Sequence, residues 1–306
     1  MRLRVGTRGS PLALAQAGLL ARKLEAAGSE VELVAIKTSG DRLTHVALAD
    51  FGGKALFVKE IEEALLDGRV DVGVHSLKDM PAVLPEGLCL GAFPEREDPA
   101  DVLIARGGEA LEDLPRGAVV GTSSVRRRVL LLRRRADLRI TPIRGNVETR
   151  LRKLEEGQYH ALVLARAGLT RLGLFPADAR VLPPEEFLPA VGQGILGVEA
   201  RQADREVLEL LAAVDHTETR AQGEAERSFL LHLGADCHTP VAGWARVEGE
   251  GLTLSGLVAS LDGETVLAGR VTGRAAMARR LGEALAGDLL GRGARQILEA
   301  ARDRGT

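Results

Sequence analysis

The feature that most limits how this chain folds is a repeated order of strand, turn and helix. The order first appears at residues 3–28, where Ser10 is a good helix N-cap and Pro11 a good first helical residue. It recurs over residues 31–75 and starts again over 118–165. Strands that alternate with helices predict two α/β units, each built on a largely parallel sheet.

Two proline-marked segments, at residues 94–99 and 183–189, bracket the second unit. After the second segment an apolar run at 191–199 predicts a strand that re-enters the first sheet. A chain that crosses twice between two units forms a double hinge over a cleft, the plan of bilobal binding proteins. From residue 217 the pattern changes to a helix, three strands and two helices, which predicts a small α+β domain with an antiparallel sheet.

The expected fold class is therefore α/β, with two periplasmic-binding-protein-like lobes joined by a double hinge and a small C-terminal α+β domain. We expect lobe 1 to contain residues 1–95 and 192–213, lobe 2 residues 99–188, and the C-terminal domain residues 217–306. A chain of 306 residues is long enough for this arrangement.

Composition narrows the function. The formal net charge is −2 and aromatic residues make up 3% of the chain, which disfavours nucleic-acid binding through a basic field or stacked bases. The chain has only two cysteines, and its N-terminus lacks a signal sequence. We also find no uncharged apolar run near the length of a membrane span. These observations predict a soluble, cytoplasmic protein with no membrane or nucleic-acid partner.

The densest local charge lies at residues 126–152, with ten arginines opposed by two acidic residues. Arg133, Arg134 and Arg135 fit a solvated helix face. Arg126 and Arg127 instead fall in the first turn of a helix, where positive side chains oppose the helix dipole. That placement predicts a bound anion, held by free backbone N–H groups, neighbouring hydroxyls and guanidinium groups.

Other cations follow other strands. The carboxyl ends of strands line the ligand crevice of an open α/β sheet, so Arg8, Lys78 and Arg144 should face the same cleft as Arg126. Lys54 follows two glycines but lacks the spacing of a phosphate-binding P-loop. The predicted ligand is a polyanion without triphosphate chemistry.

Two residues stand out as possible reacting groups. Asp79 is a carboxylate among cations, although it also fits a turn residue paired with Lys78. Cys237 lies in a loop with nothing apolar to pack it, which is typical of a reactive cysteine, whereas Cys89 fits a buried strand. His232 and His238 near Cys237 match no zinc spacing, so no metal is expected.

The motifs occur in a characteristic order along the chain: TRGSPLA at 7–13, GGK at 52–54, VHSLKDMP at 74–81, EREDP at 95–99, GTSSVRR at 121–127, IRGNV at 143–147, LPAVGQG at 188–194, and Cys237 with Pro240. With these motifs the chain resembles the hydroxymethylbilane synthase family, also called porphobilinogen deaminase. The resemblance runs from residue 7 to residue 240, and the last 60 residues add little to it.

The resemblance implies a transferase that joins four porphobilinogen molecules head to tail with loss of ammonia. The growing chain is built on a dipyrromethane cofactor bound through a thioether to Cys237, and hydrolysis then releases a linear tetrapyrrole for porphyrin and heme biosynthesis. Each pyrrole carries two carboxylates, so six rings present about a dozen, which only a cleft rich in Arg and Lys can hold. The family further implies a monomer.

By the same resemblance, Asp79 is the catalytic carboxylate, which assists departure of the amine and stabilises the cationic azafulvene. The residues implied in cofactor binding are Cys237, Arg8, Ser10, Lys54, Lys78, Thr122, Ser123, Ser124, Arg126, Arg127, Arg144, Gly145 and Arg150. Those implied in substrate binding are Phe57, Arg8, Arg144, Arg150, Arg171 and Gln193.

Two positions depart from the family pattern. Asp236 stands where a glycine is expected before Cys237, and an acid there disfavours the thiolate and would slow cofactor attachment. Ala55 replaces a glycine after Lys54. Two other functions fit parts of the sequence: a bilobal anion receptor without catalysis, and nucleic-acid binding through residues 126–152, which predicts a steep salt dependence.

Overall fold

The structure is a computed structural model that describes residues 1–39, 58–236 and 239–303. The predicted site residues Lys54, Phe57 and Cys237, together with Ala55 and His238, lie outside the described residues. All other predicted site residues lie within them.

The described residues form helices and strands in the following order. The strands are β1 (Arg2–Arg8), β2 (Glu30–Ile36), β3 (Val72–Ser76), β4 (Leu88–Ala92), β5 (Asp101–Ala105), β6 (Val119–Gly121), β7 (Arg139–Thr141), β8 (Ala161–Ala165), β9 (Arg180–Leu182), β10 (Leu196–Arg201), β11 (Val241–Glu248), β12 (Gly251–Ala259) and β13 (Val266–Arg274). The helices are α1 (Pro11–Ala26), α2 (Lys59–Leu66), α3 (Val125–Arg134), α4 (Val147–Glu155), α5 (Arg166–Leu172), α6 (Arg205–Ala212), α7 (Thr217–Leu233), α8 (Ala278–Gly291) and α9 (Ala294–Asp303).

Two five-stranded sheets share one topology. The first has the order β2-β1-β3-β10-β4, and the second has the order β7-β6-β8-β5-β9. In each sheet a single strand, β10 or β5, runs antiparallel to its neighbours. In both sheets this strand follows a crossing of the chain from the other sheet. The crossing at residues 93–100 leads into β5, and the crossing at residues 183–195 leads into β10. The repeated order and the two crossings confirm the predicted double-hinged α/β fold class.

The third sheet is antiparallel, in the order β11-β12-β13. Helices α7 and α8 cover it, and Phe229, Leu254 and Leu285 are fully or almost fully buried in the core between them. This small C-terminal α+β unit was also predicted. Its core includes Val191 from the second crossing, so the C-terminal unit packs directly on the hinge.

The apolar run at 191–199 leads into β10, which begins at Leu196 and re-enters the first sheet as predicted. Gly192 and Gly194 have φ values of 76° and 86°, which place them in the left-handed region and turn the chain. A Cβ on Gly194 would overlap the carbonyl oxygen of Glu97 in the first crossing. The two crossings therefore touch through glycine backbone.

The local sequence explains where α1 begins. Ser10 Oγ accepts a hydrogen bond from the Ala13 backbone N–H at 3.3 Å and caps α1 as predicted.

Cys89 lies in β4 as predicted, but its side chain is half-buried rather than buried. Burial raises the pKa of the Cys89 thiol.

Candidate active site

One cleft collects residues from the second crossing, from both α/β units and from the C-terminal unit. Its lining residues are Lys78, Asp79, Ser124, Arg126, Arg127, Ala190, Val191, Gln193, Leu230, Asp236, Thr239 and Val241. The positively charged residues among them come from two different sheets. The cleft is thus a junction of all three parts of the fold.

The first sheet contributes Lys78 and Asp79. Both lie in a 3-10 turn, Leu77–Asp79, that directly follows β3. The Leu77 backbone N–H donates to the Ile195 carbonyl at 3.0 Å, and a Cβ on Gly192 would lie 2.9 Å from the Lys78 nitrogen. The second crossing therefore packs against this turn, and the Asp79 side chain is left exposed in the cleft.

Lys78 has an altered acidity. Burial lowers the pKa of its ammonium group to about 8, and Arg127 and Arg126 lower it further, while Asp79 and Asp101 oppose the shift. The Lys78 Nζ donates to Gln193 Oε1 at 3.3 Å. Lys78 is therefore a cation that loses its charge close to physiological pH.

The second sheet contributes Arg126 and Arg127 at the start of α3. Ser124 Oγ caps the helix by accepting from the Arg127 backbone N–H at 3.4 Å. Both arginines are almost fully buried, and both pair with the fully buried carboxylate of Asp101, at 2.8 Å and 2.7 Å. The anion predicted at this helix start is in part a residue of the protein itself.

The Arg126 side chain retains an unused donor. Its Nη1 donates to the Leu188 carbonyl at 2.9 Å, but its buried Nε has no hydrogen-bond partner among the described residues. An unpaired buried N–H is costly unless a ligand supplies an acceptor. The donor set of this cleft, with guanidinium, ammonium and an orphaned N–H, fits a ligand that carries carboxylates.

Gln193 joins the components of the site. Its side chain is fully buried, and its Nε2 donates to the Pro99 carbonyl at 2.7 Å and to Asp101 Oδ1 at 2.9 Å. Its Oε1 accepts from Lys78 at 3.3 Å and from Arg127 at 3.5 Å. Gln193 therefore links both crossings to the cations from both sheets, a contact that the sequence did not indicate.

Gly145 lies in the loop before α4, and Arg150 lies within α4. The Arg150 Nε donates to the Gly145 carbonyl at 2.9 Å, and Asn146 caps the helix. Burial and Arg127 lower the pKa of Arg150, while Asp79 raises it. Arg150 thus belongs to the electrostatic environment of the cleft. Arg144, in the same loop, is half-buried.

The remaining hydroxyl residues support the backbone. Ser123 Oγ donates to the Ile143 carbonyl at 2.7 Å and accepts from the Ile143 N–H at 3.1 Å. Thr122 Oγ1 accepts from the Ser124 N–H at 3.2 Å. These contacts tie together the loops that follow β6 and β7, so the two hydroxyls hold the loops in place.

Two further predicted residues lie at the edges of this arrangement. Arg8 ends β1, which is parallel to β3, so both strands end at the same edge of the first sheet. The Arg171 Nη2 donates to the Gly194 carbonyl at 2.6 Å in the second crossing. Burial lowers the pKa of Arg171 to about 10, and Glu97 opposes the shift.

The loop predicted to carry the reactive cysteine starts and ends in the cleft. Asp236 and Thr239, which flank residues 237 and 238, both line it. Thr239 Oγ1 donates to the Asp236 carbonyl at 2.6 Å and accepts from the Asp236 N–H at 3.1 Å. These bonds close the base of the loop beside the cationic residues.

Sequence reasoning missed a second buried ion pair behind the cleft. The Arg96 Nη1 lies 2.6 Å from Glu226 Oε1, and both side chains are almost fully buried. Glu226 also accepts from the backbone N–H groups of Gly192, at 2.6 Å, and Ala245, at 2.8 Å. The Arg96 Nε donates to the Gln193 carbonyl at 3.0 Å. The EREDP motif contained Arg96, but its acidic partner lies about 130 residues later.

Among residues 1–39, 58–236 and 239–303, no group of three or more His, Cys, Asp or Glu side chains is arranged to hold a metal ion. Within the same ranges, no helix combines the length and apolar character needed to cross a bilayer.

Two family models match the chain. Residues 3–209 match "Porphobilinogen deaminase, dipyromethane cofactor binding domain", and residues 220–291 match "Porphobilinogen deaminase, C-terminal domain". The loop with residue 237 falls in the range of the second match, although the cofactor gives its name to the first.

Similar curated proteins span nearly the whole chain. The porphobilinogen deaminase of Syntrophobacter fumaroxidans is 50% identical over 299 residues, which is 97% of each chain. That of Desulforudis audaxviator is 51% identical over 300 residues, again 97% of each chain. That of Maridesulfovibrio salexigens is 47% identical over 305 residues, or 99% of each chain.

Solved structures that resemble the chain are more distant. A Bordetella pertussis BvgS VFT2 domain aligns with a TM-score of 0.41 and 14% identity, over 70% of this chain and 85% of that one. An ancestral arginine-binding protein aligns with a TM-score of 0.37 and 19% identity, over 70% and 90% of the two chains. The family models and the curated relatives, by contrast, match the chain closely over almost its full length. The chain therefore belongs to the porphobilinogen deaminase family, whose members are transferases.

Proposed function

We propose that this protein is a hydroxymethylbilane synthase, which joins four porphobilinogen molecules head to tail and releases a linear tetrapyrrole. The observation that carries the proposal is the cleft itself, which is lined by Lys78, Arg126 and Arg127 together with the exposed carboxylate of Asp79. Asp236 and Thr239 line the same cleft, which supports a covalent anchor at Cys237 between them. An anion receptor without catalysis has no need for that anchor.

The cleft residues divide by chemistry. Lys78, Arg126 and Arg150 would bind the carboxylates of the cofactor and the substrate, and Arg126 Nε is a donor without another partner. The dipyrromethane cofactor, when bound through Cys237, would supply the free pyrrole α-carbon to which substrate is added. Arg8, Ser10, Lys54 and Arg144 from the loops around the cleft would contribute further contacts, together with Phe57, Arg171 and Gln193.

Asp79 would act on the substrate's aminomethyl group. It would stabilise the cation that forms as the carbon–nitrogen bond breaks and ammonia leaves. After the new carbon–carbon bond has formed, the same carboxylate would accept the proton lost from the pyrrole α-carbon. Water, which hydrolyses the bond to the finished chain, would then release the product. No step in this scheme requires a metal.

We also propose that the three units predicted from the sequence act as separate bodies around the cleft: residues 1–95 with 192–213, residues 99–188, and residues 217–306. The close approach of Gly194 in the second crossing to Glu97 in the first supports a hinge at this place. The enzyme would act as a monomer in the cytoplasm, with porphobilinogen as its partner and no nucleic acid or membrane.

The covalent anchor gives a direct prediction. The purified protein should be heavier than its sequence by two pyrrole units, and Cys237→Ser should abolish both this increment and the synthesis of tetrapyrrole. Intact-protein mass spectrometry measures the increment, and Ehrlich's aldehyde, which colours pyrroles with a free α-position, gives a second signal.

Cys89→Ser is the matched control, because Cys89 is the other cysteine of the chain and lies in β4. It should keep the full mass increment and the colour. A wild-type protein with the bare sequence mass but full activity would overturn the proposal.

Lys78 predicts the pH dependence of carboxylate binding. Because the pKa of Lys78 is lowered to about 8, its positive charge disappears as the pH rises from 7 to 9. A lost charge-assisted hydrogen bond of about 1.5 kcal/mol corresponds to an increase of about tenfold in KM for porphobilinogen. Steady-state kinetics at each pH would measure it.

Lys78→Arg should remove this part of the pH dependence, because arginine stays charged throughout the range. Lys59→Arg is the control, since Lys59 is exposed on α2 and pairs with Glu63 at the surface. If the pH profile of Lys78→Arg equals that of the wild type, Lys78 does not carry the effect.

A further inference from the structure

We infer that Asp101 is a positioning residue of this site, a permanent internal carboxylate that holds Arg126 and Arg127 side by side and fixes which of them meets the ligand. The inference rests on the proposed function, because it assigns a role within the same cleft. Asp101 lies at the start of β5 and does not itself line the cleft.

The first argument is that all three guanidinium nitrogens of Arg127 are hydrogen-bonded to the protein. Its Nε and Nη2 both donate to Asp101 Oδ1, at 3.1 Å and 2.7 Å, and its Nη1 donates to the Val163 carbonyl at 3.0 Å. Every nitrogen of this guanidinium therefore already has a protein acceptor. Arg127 lies at the cleft but is oriented toward the interior.

Arg126 is held differently. Its Nη2 pairs with Asp101 Oδ2 at 2.8 Å and its Nη1 donates to the Leu188 carbonyl, but its Nε has no hydrogen-bond partner in the part of the chain that the structure describes. The two adjacent arginines thus have different tasks. Arg127 forms part of the scaffold, whereas Arg126 keeps a donor for a ligand carboxylate.

The second argument is charge. Two buried guanidinium groups in adjacent positions repel each other, and burial makes that repulsion expensive. Burial raises the pKa of Asp101, but Arg126 and Arg127 outweigh it and hold the pKa well below its ordinary value. Asp101 therefore stays ionised and compensates the pair in the absence of any ligand.

The third argument is that the influence of Asp101 extends to Lys78 of the first α/β unit. Gln193 Nε2 donates to Asp101 Oδ1 at 2.9 Å, and Gln193 Oε1 accepts from Lys78. Asp101 thus acts on a cation of the first sheet as well as on two of the second. Its charge helps to keep Lys78 protonated, together with Asp79 and against the two arginines.

The test is Asp101→Asn, a substitution that keeps the shape and removes the charge. We expect the pKa of Lys78 to fall by about one unit, because the ammonium loses a nearby anion while Arg126 and Arg127 remain positive. Competitive labelling of amines with acetic anhydride, read by peptide mass spectrometry across pH, measures this without any activity assay. It is done on the full-length holoenzyme.

A matched control separates charge from packing. Asp98→Asn removes an acid three residues earlier that pairs with Arg166 at 2.7 Å, and it should leave the titration of Lys78 unchanged. Both substitutions are repeated in a Cys237→Ser background, so that differences in cofactor loading do not affect the comparison. An unchanged titration of Lys78 in Asp101→Asn would overturn the inference.

A second variant tests the inference in the case that Asp101→Asn does not fold. If Asp101→Asn is unfolded, the double variant Asp101→Asn with Arg127→Gln should fold, because it returns the net charge of the Asp101, Arg126 and Arg127 cluster to its wild-type value. If the double variant is also unfolded, charge compensation is not the role of Asp101. Intact mass distinguishes this inference from the proposed function, since absence of the pyrrole increment in the wild type refutes only the latter.

Discussion

Asp79→Asn should bind the cofactor and substrate normally but lower kcat by about 10³-fold. The amide has the shape of the carboxylate, so the 3-10 turn at Leu77–Asp79 and its contacts with the second crossing should persist. It has no negative charge, so it does not stabilise the cation formed as ammonia leaves. It also cannot accept the proton that the pyrrole α-carbon loses afterwards. Rate measurements with porphobilinogen, combined with intact mass to verify cofactor loading, would show this.

Asp67→Asn provides the control for this prediction. Asp67 lies on the exposed C-terminal cap of α2 and pairs with Arg69 at the surface at 3.3 Å. Its activity should match that of the wild type. Normal turnover by a fully loaded Asp79→Asn enzyme would refute the role proposed for Asp79, even if the rest of the proposal stood.

Glu226→Gln should destabilise the protein by roughly 3–5 kcal/mol. Glu226 is fully buried, and its carboxylate accepts from Arg96, from the Gly192 N–H and from the Ala245 N–H. An amide places an NH₂ group against at least one of these donors and leaves the buried Arg96 without its counter-charge. The corresponding fall in Tm is on the order of 10 °C, measurable by thermal unfolding.

Glu224→Gln is the comparison, because it makes the same chemical change two residues earlier on α7. Glu224 pairs with Arg279 at 3.0 Å, but the arginine side chain is 77% exposed, so the loss should be less than about 1 kcal/mol. If the two variants unfold at the same temperature, the buried pair does not hold the C-terminal unit to the hinge.

Much of the fold could be predicted from local patterns. Ser10 and Pro11 mark the start of α1, and the helix predicted from residue 217 is α7, which begins at Thr217. Such features depend on capping and on periodic apolar residues, which are properties of a short segment. The turn that Gly192 and Gly194 make before β10 was not predicted, because it depends on contacts with Lys78 and Glu97.

The placement of some site residues could also be predicted from local patterns in the sequence. Lys78, Arg126 and Arg127 follow strands or begin helices, and strand order brings such positions together at one edge of a sheet. The positive charge of Arg126 and Arg127 at a helix start predicted an anion, and the Asp101 carboxylate pairs with both guanidinium groups. The sequence could not show that this anion is partly Asp101, because the partners are separated by about 25 residues and their pairing depends on how β5 and α3 pack.

The amino-acid order alone determined the α/β units, the crossings and the surplus of cations near strand ends, since these arise from interactions between neighbours in the chain. Tertiary packing decided which cations are used internally and which keep a free donor, and it decided how Gln193 and Glu226 join the three parts. The physical reason is that a buried charge depends on the groups around it in space, and the chain supplies those groups from distant positions.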